Sequence, residues 1–489
     1  MLASEYKWQS CLLADMASDR WSSGLGFLLA TVGAAVGLGN IWRFSAVLGS
    51  NGGGAYLVPY LLAAFCLAVP MLVLELAVGR TLRSDVVSAF RSVDTTYTAF
   101  GWLVVGGVSL ILSYYLVLTG WVFGFLLSWL GGSRTTFATF TAGWLPVGYF
   151  VVATVLTGAI VARGVRSGIE RLSTVVMPTV FALLVALAVY AVTLPGWGRA
   201  VGFLFTPDLT VLVDPGLWSA AFGQVFFSLS VGQGIMLTYG SYVDEDTDLL
   251  RSSLLITVAD ISAALLAGLV IFPIVFTFGL QPTLGTELAF TTLPTAFASM
   301  GAGRVVAVAF FGLLFFAALS SSVSLLEVGV AAATNTTRLD RGRATLVLTG
   351  GVFLAGVPSA LSYSPLDLAV AGTPILDLVD ESVGTYALPV SAILIAVVFV
   401  WAADLEQVRD ALGRLYPLVR YAIPPVLVVV TGTKAAGIAR PAWRLLLDGA
   451  RDESLALAVT VVALAALGAM GWWLRSRLPY PRRQGRRRG

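Results

Sequence analysis

Histidine is absent from this sequence, and cysteine is nearly so, with only Cys11 and Cys66 among 489 residues. Without histidine the chain lacks the residue that most often serves as a metal ligand and as an acid or base near neutral pH. Cys66 lies in an apolar stretch and no paired-cysteine spacing is present, so we expect neither a disulfide nor a zinc site. The glycines in 33–39 follow no strand, which argues against a dinucleotide-binding loop. We therefore expect no enzyme and no catalytic residue.

Charged residues are also scarce, at 12% of the chain, compared with about 25% in soluble domains. The net charge of +3 gives no reason to expect a nucleic-acid partner. Apolar runs of about 20 residues, long enough to cross a lipid bilayer as helices, occur about twelve times. They lie near 24–46, 54–79, 102–130, 145–162, 172–193, 216–240, 254–279, 304–333, 345–361, 383–402, 416–432 and 455–474. Because barrel strands would give short alternating segments, we expect an all-α integral membrane protein.

The positions of the arginines predict the orientation of the chain. They are frequent after the second, fourth, eighth and tenth runs, and they are rare after most odd-numbered runs. The link after the eleventh run is the exception, because it holds Lys434, Arg440, Arg444 and Arg451. Since positive loops tend to face the cytoplasm, we expect a protein of the cell (plasma) membrane with both termini cytoplasmic. The basic tail would lie beside anionic lipid, and residues 1–20 show no cleavable signal.

Glycine and polar residues interrupt two of the runs at their centres. The first run contains "ATVGAAVGLGNIWRF" (30–44) and the sixth contains "GQVFFSLSVGQG" (223–234). Glycine costs about 1 kcal/mol relative to alanine in a helix, and unpaired backbone inside a bilayer is costly. Close helix packing is one explanation for such glycines. Interruptions at matching places in two five-helix halves instead indicate a transporter site between inverted repeats.

Six motifs resemble the neurotransmitter:sodium symporter family, most closely its LeuT-type amino-acid transporters of bacteria and archaea. They are "VGAAVGLGNIWRF" (32–44), "NGGGAYLVPY" (51–60), "GIERLSTVVMP" (168–178), "TPDLTVLVDPGLWSAAFGQVFFSLSVGQG" (206–234), "TTLP" (291–294) and "FFAALSSSVSLLEV" (315–328). The resemblance implies twelve transmembrane helices, a 5+5 inverted repeat and discontinuous helices 1 and 6. It also implies sodium-driven uptake, and a homodimer is compatible with it.

This architecture divides the chain into five segments. We expect a cytoplasmic N-terminal segment in 1–20, helices 1–5 in 21–193, helices 6–10 in 194–402, helices 11–12 in 403–474 and a basic cytoplasmic tail in 475–489.

The resemblance also implies two sodium (Na⁺) sites. The first takes the substrate carboxylate together with Ala35, Asn40, Ser228 and Asp260. The second takes Ala317 and the carbonyls of Gly33 and Val36, with Ser320 and Ser321. Because the substrate completes the shell of the first ion, each ligand raises the affinity for the other. Without the family motif, the alternative for Ser320 and Ser321 is a structural role, because serines in a membrane helix usually hydrogen-bond to the backbone of their own helix.

The substrate site implied by the resemblance suits an amino acid. Its carboxylate would lie against the N–H groups of Leu38 and Gly39 and the Tyr115 hydroxyl. Its ammonium would meet Ala35, Phe227 and Ser230. Family members that carry monoamines have an aspartate at the position of Gly37, which pairs with an amine that has no carboxylate beside it. Glycine at this position leaves room for a carboxylate of the substrate itself, so we expect an amino acid. Since the side-chain pocket is formed by Ala34, Ile111, Phe227, Gln233, Ser321 and Leu325, we expect a hydrophobic or neutral amino acid.

Gln233 departs from the family pattern, because this position is commonly aromatic or apolar. A buried amide needs hydrogen-bond partners. Gln233 therefore either bonds the open backbone of the sixth run or recognises a polar group of the substrate.

Asp260 is an ionisable residue inside an apolar run, and such residues are usually functional. A structural aspartate neutralised by a proton is the alternative. Animal symporters carry an amide here and bind chloride nearby, whereas chloride-independent prokaryotic relatives carry a carboxylate in this neighbourhood. We therefore expect Asp260 to supply the compensating charge, with no chloride requirement and with possible proton counter-transport.

The resemblance implies a gate at each side of the site. Arg43 would pair with Asp380, with Asp377 as the competing partner, and Tyr115 and Phe227 would form a lid. At the cytoplasmic side the family's arginine and aspartate are replaced by Ser18 and Asn335. Arg20 and Asp340 lie close enough in sequence to substitute for them, and Trp21 is a plausible plug.

Two other functions fit the same scaffold. An ion channel could line its pore with the same carbonyls, and an amino-acid-sensing receptor would bind its ligand without moving it. The favoured interpretation is a secondary active transporter that works by alternating access.

Overall fold

The computed structural model describes residues 20–133, 135–280, 288–337, 339–370, 372–403, 405–429 and 432. Several sequence predictions lie outside these residues: Cys11, Ser18, the basic residues after the eleventh run, the run at 455–474 and the tail at 475–489.

The described residues are mostly helical. In chain order the helices are α1 (Gly24–Ala35), α2 (Gly39–Ser50), α3 (Gly53–Leu82), α4 (Val86–Val93), α5 (Thr98–Leu130), α6 (Phe137–Thr141), α7 (Leu145–Val161), α8 (Val165–Val192), α9 (Trp197–Phe205), α10 (Pro215–Ser228), α11 (Ile235–Gly240), α12 (Leu249–Thr277), α13 (Leu293–Ser299), α14 (Gly303–Thr336), α15 (Arg341–Leu361), α16 (Ile375–Ala402), α17 (Glu406–Leu412) and α18 (Leu418–Val429). Two short strands, β1 (Ala369–Val370) and β2 (Thr373–Pro374), pair antiparallel before α16.

Aspartate side chains begin several of these helices. Asp85, Asp214, Asp248 and Asp340 each accept a hydrogen bond from a backbone N–H in the first turn of α4, α10, α12 and α15. A carboxylate at this position satisfies a free N–H group and interacts favourably with the helix dipole. These caps mark where the chain leaves a polar connection and enters an apolar helix.

Within the described residues, seven helices are long and apolar enough to cross a membrane, or eight if the bent pair α1 and α2 counts as one span. The fourth predicted run forms the shorter helix α7, the sixth forms α10 and α11, and the eleventh forms α18. Apolar side chains cover the outer faces: Val189 is 65% exposed, Leu346 74% and Leu354 70%. Such surfaces suit a lipid environment. Cys66, on α3, is exposed.

Glycines bring α3 and α11 into direct backbone contact. A Cβ atom on Gly79 would lie 2.0 Å from the Leu237 carbonyl oxygen, and one on Gly240 would lie 2.6 Å from the Leu76 carbonyl oxygen. The short helix α11 therefore lies directly against the long helix α3, while α1 packs against α8, α12 and α14. This packing places the two interrupted spans beside each other in the interior.

Candidate functional site

The first span is broken where the sequence predicts it. Helix α1 ends at Ala35, Val36 is extended, and the chain resumes at Gly39 with its axis bent by 55°. The Asn40 side-chain oxygen accepts a hydrogen bond from the Gly37 N–H at 3.0 Å. A side chain thus replaces a helical backbone partner that the break removes.

The sixth span is broken over residues 229–234, between α10 and α11. Ser230, Gly232 and Gly234 all have positive φ, at 56°, 81° and 69°. A Cβ at Gly232 would lie 2.6 Å from the Leu388 carbonyl oxygen, so this position needs glycine for space as well as for conformation. The Gly232 N–H donates to the buried Glu75 carboxylate at 2.7 Å, which satisfies one of the freed backbone groups.

A small cavity of about 20 Å³ lies between the two breaks. All the predicted substrate-site residues except Leu38 line it, and the complete lining is Ala34, Ala35, Gly37, Gly39, Asn40, Ile111, Tyr115, Phe227, Ser228, Ser230, Gln233, Ser321 and Leu325. Leu38 joins the site through its backbone, because its N–H donates to the Tyr115 hydroxyl oxygen at 3.1 Å. Residues predicted on the two broken spans and on the continuous helices α5 and α14 therefore surround one space.

Three of the four residues predicted for the first sodium site form a buried cluster. The Asn40 Nδ2 lies 2.8 Å from Ser228 Oγ and 2.6 Å from Asp260 Oδ1, and Ser228 Oγ lies 2.9 Å from the same carboxylate oxygen. Tyr60 also donates to Asp260, at 3.4 Å. Asp260 is 0% exposed and its described hydrogen-bond partners are all neutral. Buried carboxylate and hydroxyl oxygens without a positive partner suit a hard cation.

Two residues predicted for the second sodium site, Ser321 and Gly33, are in contact. Ser321 Oγ donates to the Gly33 carbonyl oxygen at 3.4 Å, which links α14 to the end of α1. Ser320 Oγ instead donates to Ala317 of its own helix at 2.9 Å, the local bond that serines in membrane helices commonly make. Val36, the first non-helical residue after α1, is fully buried.

The structure does not show the predicted ion pair between Arg43 and Asp380. Among the described residues, no side-chain nitrogen of Arg43 lies within 4.0 Å of a carboxylate oxygen of Asp380. The Arg43 guanidinium instead lies 4.2 Å from the centroid of the Phe227 ring, where the ring face attracts the cation. Asp380 and the Tyr114 hydroxyl both lie against Gly384. The competing partner Asp377 accepts a hydrogen bond from Tyr363 at 2.8 Å.

Trp21, the residue suggested as a plug, packs against α11. It is 5% exposed, its Nε1 donates to the Tyr239 carbonyl oxygen at 3.1 Å, and its ring packs edge-on against Tyr239. The suggested pairing of Arg20 with Asp340 is wrong in this conformation. Asp340 caps α15 and pairs with Arg343 at 3.2 Å, whereas Arg20 lines a surface depression beside Arg83.

A different ion pair lies near Trp21. Arg341 contacts both carboxylate oxygens of Glu327, at 3.1 and 2.6 Å, and Glu327 is 0% exposed. The Tyr242 hydroxyl donates to the same carboxylate at 2.9 Å, and the Tyr242 ring packs against Trp21. This pair joins α14 to α15 beside the plug.

The family can now be assigned from comparison with known proteins. A family model described as the Sodium:neurotransmitter symporter family matches residues 18–138 and 141–423. The chain belongs to the sodium:neurotransmitter symporter family. Its members are sodium-dependent transporters and not enzymes, so this protein is a sodium-dependent symporter with multiple membrane-spanning helices.

Individual members of the sodium:neurotransmitter symporter family are similar over most of their length. The uncharacterized sodium-dependent transporter YhdH of Bacillus subtilis (strain 168) is 36% identical over 399 residues, which cover 78% of this chain and 88% of that protein. An uncharacterized sodium-dependent transporter of Haemophilus influenzae is 30% identical over 442 residues, covering 84% of this chain and 96% of the relative.

A solved structure matches the fold of this family member. The crystal structure of MhsT in complex with L-phenylalanine has a TM-score of 0.78 and 38% sequence identity, and the match covers 84% of this chain and 98% of MhsT. It confirms the LeuT-type fold that the motifs predict.

Two acidic residues of this symporter were missed by the sequence interpretation. Glu75 holds the break in the sixth span through Gly232, and Glu327 forms the ion pair near Trp21. Both stand in apolar runs, "LVLELAV" and "SLLEVGV". The rule that singled out Asp260, that ionisable residues inside a span are usually functional, would have found them.

Proposed function

We propose that this symporter carries a neutral, mainly hydrophobic amino acid into the cell together with sodium, by alternating access. The observation that carries the proposal is the cavity between the two breaks, with the Asp260 cluster beside it. The breaks leave N–H groups and carbonyls that can bind the carboxylate and ammonium groups of an amino acid. The bound L-phenylalanine of the MhsT structure supports this substrate class.

Gly37 and Tyr115 support binding of the substrate carboxylate. A Cβ atom on Gly37 would lie 2.6 Å from Ser321 Oγ and 2.8 Å from the Tyr115 hydroxyl oxygen. Glycine therefore keeps open the space between the first break, α5 and α14. A substrate carboxylate in this space would reach Tyr115 and the free N–H groups of the break.

Two sodium ions would bind beside the substrate. The buried oxygens of Ser228 and Asp260 support the first site. Asn40 would join it by turning toward the ion its side-chain oxygen, which accepts from the Gly37 N–H in this structure. Ala35 and the substrate carboxylate would complete the site. The contact of Ser321 with Gly33 supports the second site, which would also use Val36, Ala317 and Ser320. Because sodium and carboxylate share the first site, binding of each would strengthen binding of the other.

Asp260 would make transport independent of chloride. Its carboxylate supplies a negative charge next to the first sodium site, where an anion would otherwise be needed. After sodium and substrate leave, a buried uncompensated carboxylate is unfavourable. Protonation during the return step would remove that charge and produce proton counter-transport.

The arginine distribution supports a plasma-membrane protein with both termini in the cytoplasm. In this orientation Trp21 lies toward the cytoplasm, and Arg43 and Asp380 lie toward the outside. The inverted repeats would span 21–193 and 194–402, and assembly into a homodimer is compatible with them.

A thermal-shift screen of the common amino acids, with and without sodium, tests the proposal. At least one neutral amino acid should raise the Tm in sodium and have little effect without it, because ligands of the folded state stabilise it. Uptake into proteoliposomes then separates the alternatives. A symporter should show saturable uptake driven by a sodium gradient, a channel would conduct without substrate, and a receptor would bind without uptake.

A further inference from the structure

Gln233 lies in the second break, between Gly232 and Gly234, and lines the cavity. Gly232 and Gly234 flank it with positive φ, and both pack tightly: a Cβ on either would lie 2.6 Å from a neighbouring atom. Gln233 itself is only 4% exposed. The backbone on both sides of Gln233 is therefore held firmly, which limits where its side chain can move.

The side-chain amide of Gln233 forms no hydrogen bond within the part of the chain that the structure describes. The neighbouring backbone groups have other partners, since Gly232 N–H donates to Glu75 and Val231 N–H donates to the Phe226 carbonyl at 3.1 Å. Of the two roles that the sequence left open for Gln233, bonding of the broken backbone thus receives no support. A buried amide without partners costs free energy unless a ligand supplies them.

The rest of the cavity wall does not satisfy this amide. Ala34, Ile111 and Leu325 contribute apolar surface, and the Ser230 hydroxyl already donates to the Ala34 carbonyl at 3.1 Å. None of the described residues that line the cavity is charged. A charged substrate side chain would therefore enter without a counter-charge, whereas a purely hydrocarbon side chain would leave the amide unpaired.

We propose that Gln233 selects amino acids whose mainly apolar side chain carries one neutral hydrogen-bonding group, such as a hydroxyl, an amide or an indole N–H. The inference rests on the proposed function and defines its substrate class more narrowly. The amide can both donate and accept, so it accommodates either kind of polar group. A site built to bond such a group discriminates against the analogue that lacks it.

Matched pairs of amino acids test this inference. Binding of threonine and valine, asparagine and leucine, and tyrosine and phenylalanine is measured with the full-length protein in sodium. The polar member should bind about tenfold more tightly than its partner in at least one pair, as expected for loss of a bond to a buried amide. If the apolar member binds as tightly as the polar member in every pair, the inference is overturned.

Substitutions at Gln233 test whether this residue causes the preference for the polar member of each pair. Gln233→Leu and the unbranched Gln233→Met should both remove the preference for the polar member or reverse it. Ile111→Val, which alters the apolar wall without changing its polarity, should keep the preference. A ratio that stays unchanged in a folded Gln233 variant would contradict the inference. If no amino acid shows sodium-dependent binding to the wild-type protein, the proposed function itself fails, and this inference fails with it.

Discussion

The Oδ1 atom of Asp260 lies 2.6 Å from the Nδ2 atom of Asn40, although the two residues are 220 positions apart in the chain. The contact joins the bent first span to the long helix α12, and Ser228 at the end of α10 completes it. The carboxylate is buried, and its hydrogen-bond partners among the described residues are neutral. We infer that its charge is balanced by a bound sodium ion in one step of the cycle and by a proton in another.

Replacing Asp260 with asparagine should create a dependence on chloride. Asp260→Asn keeps the side-chain shape and removes the negative charge, so a chloride ion must replace it beside sodium. Uptake into proteoliposomes should increase several-fold when gluconate is replaced by chloride. The wild-type protein should be equally active in both salts, and a variant that is active but indifferent to chloride would contradict this role.

Removing a hydroxyl from either predicted sodium site should weaken the response to sodium. Ser228→Ala and Ser321→Ala each delete an oxygen beside a break, and the sodium concentration for half-maximal uptake should rise about tenfold or more. Ser109→Ala is the matched control, since its hydroxyl bonds the Val105 carbonyl of its own helix. If the sodium dependence of uptake is unchanged in both site variants, the hydroxyls of Ser228 and Ser321 do not bind sodium.

A single methyl group at Gly37 should block the substrate site. Its Cβ would lie within 2.8 Å of both the Ser321 and Tyr115 hydroxyls, and overpacking of this kind commonly costs about 1–3 kcal/mol. Gly37→Ala should therefore weaken amino-acid binding about tenfold, as measured by isothermal titration in sodium. Gly106→Ala on α5 is the control, because its Cβ would meet nothing within 4 Å. Equal affinities for the two variants would argue against carboxylate binding at this position.

The buried pair of Glu327 and Arg341 should matter far more than the neighbouring surface pair. Glu327→Gln removes the buried carboxylate charge that Arg341 contacts, and breaking a buried pair costs about 3–5 kcal/mol. Arg343→Met disrupts an exposed pair with Asp340, where the side chains are 77% and 62% exposed, and should cost less than about 1 kcal/mol. The Tm of both variants in one detergent provides the comparison. Similar losses would show that the Glu327 pair does not stabilise the region around Trp21.

The sequence predicted the fold and the cavity because both depend on local signals. Glycine together with polar residues at the centres of two spans at matching places in the two halves indicates interrupted helices, so the breaks near Gly37 and Ser230 could be located from the sequence. The family motifs then predicted which residues of the other spans face these breaks. The structure places all but one of the predicted substrate-site residues on one cavity.

Side-chain pairing was harder to predict, because it depends on the distance between helices and on the conformation. Arg43 lies over the Phe227 ring and does not pair with the predicted Asp380, and the sequence does not distinguish these two contacts. Glu327 and Arg341 are 14 positions apart on different helices, so their contact follows from the packing of α14 on α15. The roles of the individual sodium ligands stay predictions until binding is measured.

Titration of the amino acid that binds most tightly, and of the amine formed by removing its carboxylate, tests the central claim most directly. The amino acid should bind tightly in sodium and much more weakly without it, because its carboxylate completes the shell of the ion. The amine should bind weakly in both conditions. Equal binding of the amino acid with and without sodium, or sodium-dependent binding of the amine, would contradict a shared site for carboxylate and sodium at the two breaks.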